Sequence, residues 1–334
     1  MLWAMLFVSV TVVANSQYPQ NPCNLDQHLY VGETGLKKFD YTTQSYVWSV
    51  LQHHSTFEPV CAGKFVFIGS RNGLYAIDSN KGSVLWSIGE GETLFSPVVN
   101  GKHVYVSSQN GIIRKLQIDS GKLIWEKQLK GWLYPPVVID DRVVVGGQGR
   151  ELYAFNVDNG DLLWQRHVEQ ELVYRPIAAK QDIVIITTYG PDVIAINTKN
   201  NKILWSKKEV SAPYSPVVDN DQVFYGDQNG IFHAVNLYTG DENWHKQLSG
   251  VIRSIPTIDS THRNTVWVGT ERGQLVALNE VNGTIRWQKL LHQAIVHSPL
   301  PLSDKIYFKV DSRNLRFEPY SLSKTVENKV NYNQ

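Results

Sequence analysis

Tryptophan recurs along this chain of 334 residues at a nearly constant interval. Seven tryptophans follow one another at gaps of 38 to 43 residues, and they are Trp48, Trp86, Trp125, Trp164, Trp205, Trp244 and Trp287. A proline follows each of them 11 or 12 residues later, from Pro59 through to Pro299. A fixed period near 40 residues predicts a repeat architecture, in which each repeat forms one supersecondary unit.

The sequence within one period predicts β-structure. In residues 95–125, short segments rich in Val, Ile and Tyr alternate with turns that contain Gly, Asn or Asp. Four such segments fit into a period, and no window shows a sustained helical pattern of apolar residues. Four antiparallel strands per repeat, arranged around a ring, define a β-propeller. We therefore predict an all-β fold, an eight-bladed β-propeller of four-stranded antiparallel blades.

Eight blades is one of two counts that the sequence allows, and seven blades is the alternative. Seven units run from a proline-bearing first strand to a fourth strand, and residues 29–48 resemble strands two to four of a further unit. The missing inner strand of that unit would come from residues 17–27 or from the tail 328–334. Closing the ring through such a shared blade would remove the free sheet edges.

The turn before each tryptophan has a conserved spacing within the chain. A glycine lies four residues before five of the tryptophans, with Asn201 in the same position of another repeat, as expected where the backbone needs a positive φ. An Asp or Asn lies eight residues before, except at Gln117, and can close the turn through backbone amides. Alanine lies ten residues before, except where Lys38 and Lys115 replace it.

These features together resemble the PQQ-like, or quinoprotein-type, propeller repeat family and its tryptophan-docking motif, approximately A-x-[DN]-x-x-[TN]-G-x-x-x-W. The motif matches well at 76–86, 154–164, 195–205, 234–244 and 277–287, is weaker at 38–48 and 115–125, and is lost at 315–330. The resemblance covers about residues 28–330. It implies that the seven spaced tryptophans are structural, because in that family each indole packs onto the backbone of the neighbouring blade.

The first residues differ from the repeats. Residues 1–14 form an apolar run that is too short to span a bilayer comfortably, and small residues follow it, which predicts a signal peptide at 1–16. We expect an N-terminal segment at 17–27 and a single propeller domain at 28–334. The chain would then be exported, to the periplasm or outer-membrane periphery in a bacterium, or secreted or luminal in a eukaryote. Cys23 and Cys61 are candidates for a disulfide in that setting.

The charge balance and the motifs give no positive case for an enzyme. Lys and Arg number 32 against 31 Asp and Glu, so neither a nucleic-acid footprint nor a polybasic membrane patch is expected. Quinoprotein dehydrogenases share the resemblance, but the adjacent cysteines and the calcium-plus-aspartate set of the alcohol-oxidising type are not matched. The acidic pairs at 140–141 and 219–221 fall in turns, and His53 and His54 would point to opposite faces of an extended segment. We assign no catalytic, cofactor-binding or metal-binding residue.

Deviations from the repeat indicate where a ligand or partner would bind. The first strand of each blade lines the channel of a propeller, and most repeats carry an aromatic residue and then a small one before the proline. That pattern is broken by Glu58, Arg175, Arg253 and His297. We interpret them either as a solvated channel rim with local ion pairs or as contacts to a polar ligand or partner at the channel mouth. The aromatic series either packs between blades or forms a ring around a ligand.

Three functions follow from these expectations. The first is a non-enzymatic scaffold that binds other proteins through loops or a propeller face, since the chain is similar in size and repeat content to the BamB-like propellers of outer-membrane protein assembly. The second is a PQQ-dependent oxidoreductase or redox subunit. The third is a eukaryotic secreted or luminal propeller that senses or scaffolds, for which the sequon at Asn282 predicts a glycosylation site on a hairpin.

Overall fold

The computed structural model describes residues 22–259, 262, 264–302, 305–309 and 315–320, without the side chains of 33, 173–176 and 315–319. All of the described secondary structure is β. Within these ranges no helix has the length and hydropathy needed to cross a membrane. The predicted signal peptide at 1–16 and the tail 328–334 lie outside the described residues.

The strands of the first half of the chain form units 1 to 4. Unit 1 and unit 2 share a long strand, and their strands are β1 (Cys23–Leu25), β2 (His28–Asp40), β3 (Ser45–Ala62), β4 (Phe65–Ser70), β5 (Gly73–Asp78) and β6 (Val84–Ile88). Unit 3 contains β7 (Val98–Asn100), β8 (His103–Ser107), β9 (Ile112–Gln117) and β10 (Leu123–Gln128). Unit 4 contains β11 (Val137–Ile139), β12 (Arg142–Gly146), β13 (Glu151–Asn156) and β14 (Leu162–His167).

The second half of the chain forms units 5 to 8. Unit 5 contains β15 (Leu172–Lys180), β16 (Ile183–Thr188), β17 (Asp192–Asn197) and β18 (Lys202–Lys208). Unit 6 contains β19 (Val217–Asp219), β20 (Gln222–Gly226), β21 (Ile231–Asn236) and β22 (Glu242–Gln247). Unit 7 contains β23 (Thr257–Ile258), β24 (Thr265–Gly269), β25 (Gln274–Asn279) and β26 (Ile285–Leu290), and unit 8 contains β27 (Leu300–Pro301), β28 (Lys305–Lys309) and β29 (Leu315–Pro319).

The described strands form seven antiparallel sheets, which confirms the predicted class of antiparallel β-propeller. The first sheet has six strands because β3 pairs with β2 through its beginning and with β4 through its end. Within that sheet, β1 takes the inner position of unit 1: Cys23 lies opposite Tyr30, as Val137 lies opposite Val144 in unit 4. Eight repeat units therefore contribute to the seven sheets, and the inner strand of unit 1 comes from the segment 17–27.

Buried apolar residues pack between units and close the ring. Seven clusters join each unit to the next, from units 1 and 2 through to units 7 and 8. An eighth cluster contains Leu29 and Val31 of unit 1 together with Leu302 and Tyr307 of unit 8. The core of the protein is thus a circle of interfaces between sheets, and unit 8 contacts both of its neighbours.

Each outer strand of units 1 to 7 is irregular at one residue. In unit 2, Trp86 pairs with Ala76 and Val84 pairs with Ile77, so Leu85 is an extra residue between them. The same shift directly precedes the tryptophan in the other units. Such a β-bulge twists an edge strand and hinders pairing with a strand of another molecule.

Candidate functional site

The spaced tryptophans contact the turn of the following unit. The indole Nε1 of Trp86 donates a hydrogen bond to the carbonyl oxygen of Ile118 at 2.9 Å. Its ring covers Gly121, which has φ +68°, and a Cβ atom built there would come within 2.6 Å of Trp86 Cε3. Corresponding indole hydrogen bonds are made by Trp48, Trp125, Trp164, Trp205 and Trp244. Each of these contacts joins one unit to the next.

The two lysines that replace alanine add to the same contact. Lys115 Nζ donates to the carbonyl oxygen of Val157 at 2.9 Å, and Trp125 Nε1 donates to that oxygen at 3.2 Å. Lys38 Nζ donates to the carbonyl oxygen of Ser79 at 3.0 Å. Burial lowers the pKa of both lysines. In the sequence these lysines are visible only as exceptions to the repeat, because their acceptors lie in the next unit.

Three of the four residues that break the channel pattern have described side chains, and their environments differ. Glu58 is 1% exposed, and its backbone amide donates to Ser96 Oγ at 3.1 Å. His297 is also buried, so neither side chain lies on a solvated rim. Arg253 is half exposed, pairs with Glu271 at 2.8 Å and lies over the ring of Tyr214. Arg175 belongs to β15, and its side chain is outside the described part of the structure.

His297 carries the most perturbed histidine environment at the channel. Burial, and then the charge of Lys309, lower its pKa to about 3. Lys309 is itself buried in β28, where it is 2% exposed. An imidazole with so low a pKa stays neutral at physiological pH and is not a proton donor there.

Aromatic residues of the first strands pack against one another. The Phe57 and Phe95 rings have centroids 5.1 Å apart, and Phe95 lies 6.4 Å from Tyr134. All three are buried in one apolar cluster with residues of units 4 and 5. This packing corresponds to the first of the two interpretations of the aromatic series, in which the rings contact each other between blades.

Cys23 and Cys61 form a disulfide, with Cα atoms 5.7 Å apart. The bridge joins β1 to the end of β3, and a cavity of about 320 Å³ beside it is lined by Asn24, Glu58 and Pro59.

The acidic pair Asp140 and Asp141 lies in a turn between strands. Asp140 has φ +47°, and Asp141 pairs with Arg142 at 2.6 Å. Among the described residues, no group of three or more His, Cys, Asp or Glu is placed to hold a metal ion.

The sequon lies on an exposed turn between β25 and β26. Asn282 Oδ1 accepts hydrogen bonds from the backbone amide of Thr284 at 3.1 Å and from its hydroxyl at 2.7 Å. Both residues are exposed, so the amide nitrogen of Asn282 is accessible. Glycosylation at this position stays a prediction.

The closed ring of sheets and the repeated indole contacts define a tryptophan-docking β-propeller. The chain matches the model of the family described as outer membrane protein assembly factor BamB over residues 32–246 and 239–321, and it belongs to that family. Over 65 residues it is 32% identical to the outer membrane protein assembly factor BamB of Yersinia pestis. That alignment spans 20% of this chain and only 16% of the Yersinia protein.

Solved structures share the fold across nearly the whole chain. BamB from Moraxella catarrhalis superposes with a TM-score of 0.72 at 18% identity, over 92% of this chain and 98% of that one. The computationally designed Ika8 protein superposes with a TM-score of 0.80 at 14% identity and the same coverage. A designed protein and a natural assembly factor thus share this architecture, so the fold alone does not determine a function.

Proposed function

We propose that the chain is a non-enzymatic protein-binding scaffold that acts in outer-membrane protein assembly. Membership in the BamB family over most of the chain supports the assembly role. The Cys23–Cys61 disulfide supports export to an oxidising compartment, such as the periplasm. In this proposal the partners are other proteins, and the chain itself supplies surface and geometry but no chemistry.

The observation that carries the binding role is a belt of exposed apolar pairs. The two residues before the tryptophan are large and apolar in units 1 to 5, and both are exposed; the pairs are Tyr46 and Val47, Val84 and Leu85, Leu123 and Ile124, Leu162 and Leu163, and Ile203 and Leu204. In unit 6 the pair is Glu242 and Asn243, so the belt ends there. Large apolar side chains repeated on an exposed surface mark a site of protein contact.

The bulges suggest how a partner would use this belt. Because each outer strand is interrupted at the belt, the bulge hinders a partner strand from extending the sheet through regular backbone hydrogen bonds. We infer that the partner contacts the apolar side chains of several successive units at once. A surface spread over five units suits a large protein partner better than a short peptide.

The test is a triple variant, Leu85→Glu, Leu163→Glu and Leu204→Glu, expressed as the only copy in a Gram-negative host. Asn243→Glu is the matched control, since it introduces the same charge at the equivalent bulge outside the belt. We expect wild type and N243E to support normal levels of folded outer-membrane β-barrel proteins. The triple variant should lower those levels, although its far-UV circular dichroism spectrum matches that of wild type. Normal barrel levels in cells that lack the chain would refute the assembly role, and full activity of the triple variant would refute the belt.

A further inference from the structure

A second cavity, of about 270 Å³, lies between units 4 and 5. Val168 of unit 4 and Ile194 and Ile196 of unit 5 give it an apolar wall, and Thr188 and Asp192 give it a polar end. Lys208, on the outer strand of unit 5, is exposed beside it. The cavity is separate from the belt, from the channel residues and from the disulfide, and the proposed function does not use it.

On the wall of the cavity, unit 5 carries a shorter side chain than units 2, 3, 4 and 6 carry in the equivalent position. Eleven residues before the tryptophan, unit 5 has Ile194, and the equivalent residues of units 2, 3, 4 and 6 are Tyr75, Arg114, Tyr153 and His233. Between units 5 and 6 the corresponding space is filled: the ring of Tyr225 stacks on His233 with centroids 4.9 Å apart. Tyr225 also hydrogen-bonds Glu209 there, whereas its equivalent in unit 5 is Ile186.

Asp192 brings a carboxylate to this apolar space. It is 7% exposed and alternates along β17 with Ile194 and Ile196, so that the three side chains share one face of the strand. Its backbone amide donates to Thr188 Oγ1 at 3.3 Å. Its carboxylate has neither a hydrogen bond nor an ion pair with any residue in the described part of the chain. Lys208 is its cross-strand neighbour, yet the two side chains are not paired.

The Asp192 carboxylate borders the cavity without a counter-charge from any described residue, so an ammonium group that enters the cavity can pair with it. The half-buried Arg166 on the wall is held by Asn201, its Nε donating to Asn201 Oδ1 at 2.8 Å, and does not reach Asp192 as an ion pair. Arg166 lies toward the other end of β17 from Asp192, because Asn201 directly precedes Lys202, the cross-strand partner of Asn197. The exposed side of the cavity carries both signs of charge, since Lys208 and Glu169 are exposed there. Asp192 and Arg166 thus carry opposite charges on this lining, and Ile194 and Ile196 lie between them along β17.

We propose that this cavity binds a small zwitterion, with its ammonium group at the Asp192 carboxylate and its carboxylate toward Arg166. A carbon chain between the two groups would lie along Val168, Ile194 and Ile196. Free lysine-like amino acids and the C-terminal lysine of a protein share this chemistry. Either source places an ammonium group and a carboxylate at opposite ends of an aliphatic stem.

The experiment is calorimetric titration of the full chain with 6-aminohexanoate, and then with a short peptide that ends in lysine. Hexanoate, which lacks the ammonium group, is the control ligand. We expect saturable binding of 6-aminohexanoate, at least about tenfold weaker binding of hexanoate, and a similar loss in Asp192→Asn. Asp182→Asn is the matched control, since it removes a carboxylate of the same unit that pairs with Lys199 outside the cavity.

Ile194→Tyr supplies an independent check, because units 2 and 4 already carry tyrosine in this position. We expect it to fill the cavity and abolish binding, while the far-UV spectrum stays that of wild type. Stronger binding of the peptide than of 6-aminohexanoate would assign the site to a protein terminus, and the reverse to a free amino acid. No saturable binding of either ligand at about 10 mM, or equal affinity in wild type and D192N, would overturn the proposal.

Discussion

At Gly121, one residue type determines how closely two units approach. The backbone has a positive φ, and the Trp86 ring occupies the space that a Cβ atom would need. Each Gly-x-x-x-Trp pattern thus takes part in two different contacts. Its glycine packs under the indole of the preceding unit, and its tryptophan covers the glycine of the next unit. The positive φ could be predicted from the recurring glycine, whereas the packing of the indole on the next unit followed from the resemblance to the propeller repeat family.

Trp86→Ala removes one such contact. We expect the free energy of unfolding to fall by about 3–5 kcal/mol, because a large aromatic side chain and its hydrogen bond to Ile118 are lost from the interface. Chemical denaturation followed by circular dichroism measures the change. The exposed Val281→Ala is the control and should change stability by less than about 0.5 kcal/mol. A midpoint for W86A close to that of wild type would contradict the assignment of the spaced tryptophans as structural.

Glu280 shows what the sequence could not reveal at this scale. It lies in the turn after β25 and is 2% exposed, and it meets Asp219 at the end of β19 in the preceding unit. Burial, and then the negative charge of Asp219, raise the pKa of Glu280 to about 7. No motif marks this pair, because the two carboxylates are brought together only by the packing of units 6 and 7.

Glu280→Gln should therefore change the pH dependence of stability. The folded protein holds a proton on Glu280 that the unfolded chain releases near pH 4.5, so stability falls as pH rises from about 4.5 to 7. We expect E280Q to be more stable than wild type by about 1–3 kcal/mol at pH 8 and nearly equal to it at pH 4.5. Urea unfolding at both pH values measures this, with the exposed Glu90→Gln as control. Equal destabilisation of E280Q at both pH values would refute the shared proton.

At the scale of elements, the repeated strands were predictable and the isolated ones were not. Alternating apolar residues and Asx-Gly turns identify the strands of unit 3 to within a few residues. There β7 begins at Val98, after Pro97, which has no amide hydrogen for the ladder. The strand β1 follows Pro22 and has only three residues, and no tryptophan precedes it at the spacing of the repeat. Its place depends on pairing with β2 and on the disulfide, which are long-range contacts, so the sequence left two segments as candidates.

Reduction of the Cys23–Cys61 disulfide should weaken this element first. The bridge spans 38 residues, and cross-linking a loop of that length stabilises a fold by up to about 4 kcal/mol. We expect the urea midpoint of wild type to fall when reductant is added. We also expect the amide hydrogen exchange of β1 to accelerate more than that of any other strand. The double variant Cys23→Ser, Cys61→Ser should match reduced wild type and show no response to reductant. A wild-type midpoint that is insensitive to reductant would show that β1 is held by its strand pairing alone.

On the scale of the whole molecule, closure distinguishes this chain from an open repeat array. In an open array, terminal repeats have one neighbour and unfold first. Here the cluster of Leu29, Val31, Leu302 and Tyr307 gives the first and eighth units a second neighbour. The number of units was open in the sequence because β3 belongs to two of them and because no tryptophan precedes Pro22, the residue before β1, at the spacing of the other units. The cavity between units 4 and 5 could not be predicted from the sequence either, because its volume depends on how the side chains of two neighbouring units pack against each other.

Leu29→Ala tests whether the ring behaves as one cooperative body. Leu29 is fully buried in the closing interface, so we expect its truncation to cost about 2–5 kcal/mol. If closure couples all units, tryptophan fluorescence and circular dichroism should still report a single transition with one shifted midpoint. Leu152→Ala, which removes the same side chain from the interface of units 4 and 5, is the matched control and should give a comparable shift. Separate midpoints for the two probes in L29A alone would mean that opening this interface lets units unfold one after another from the break, as in an open array.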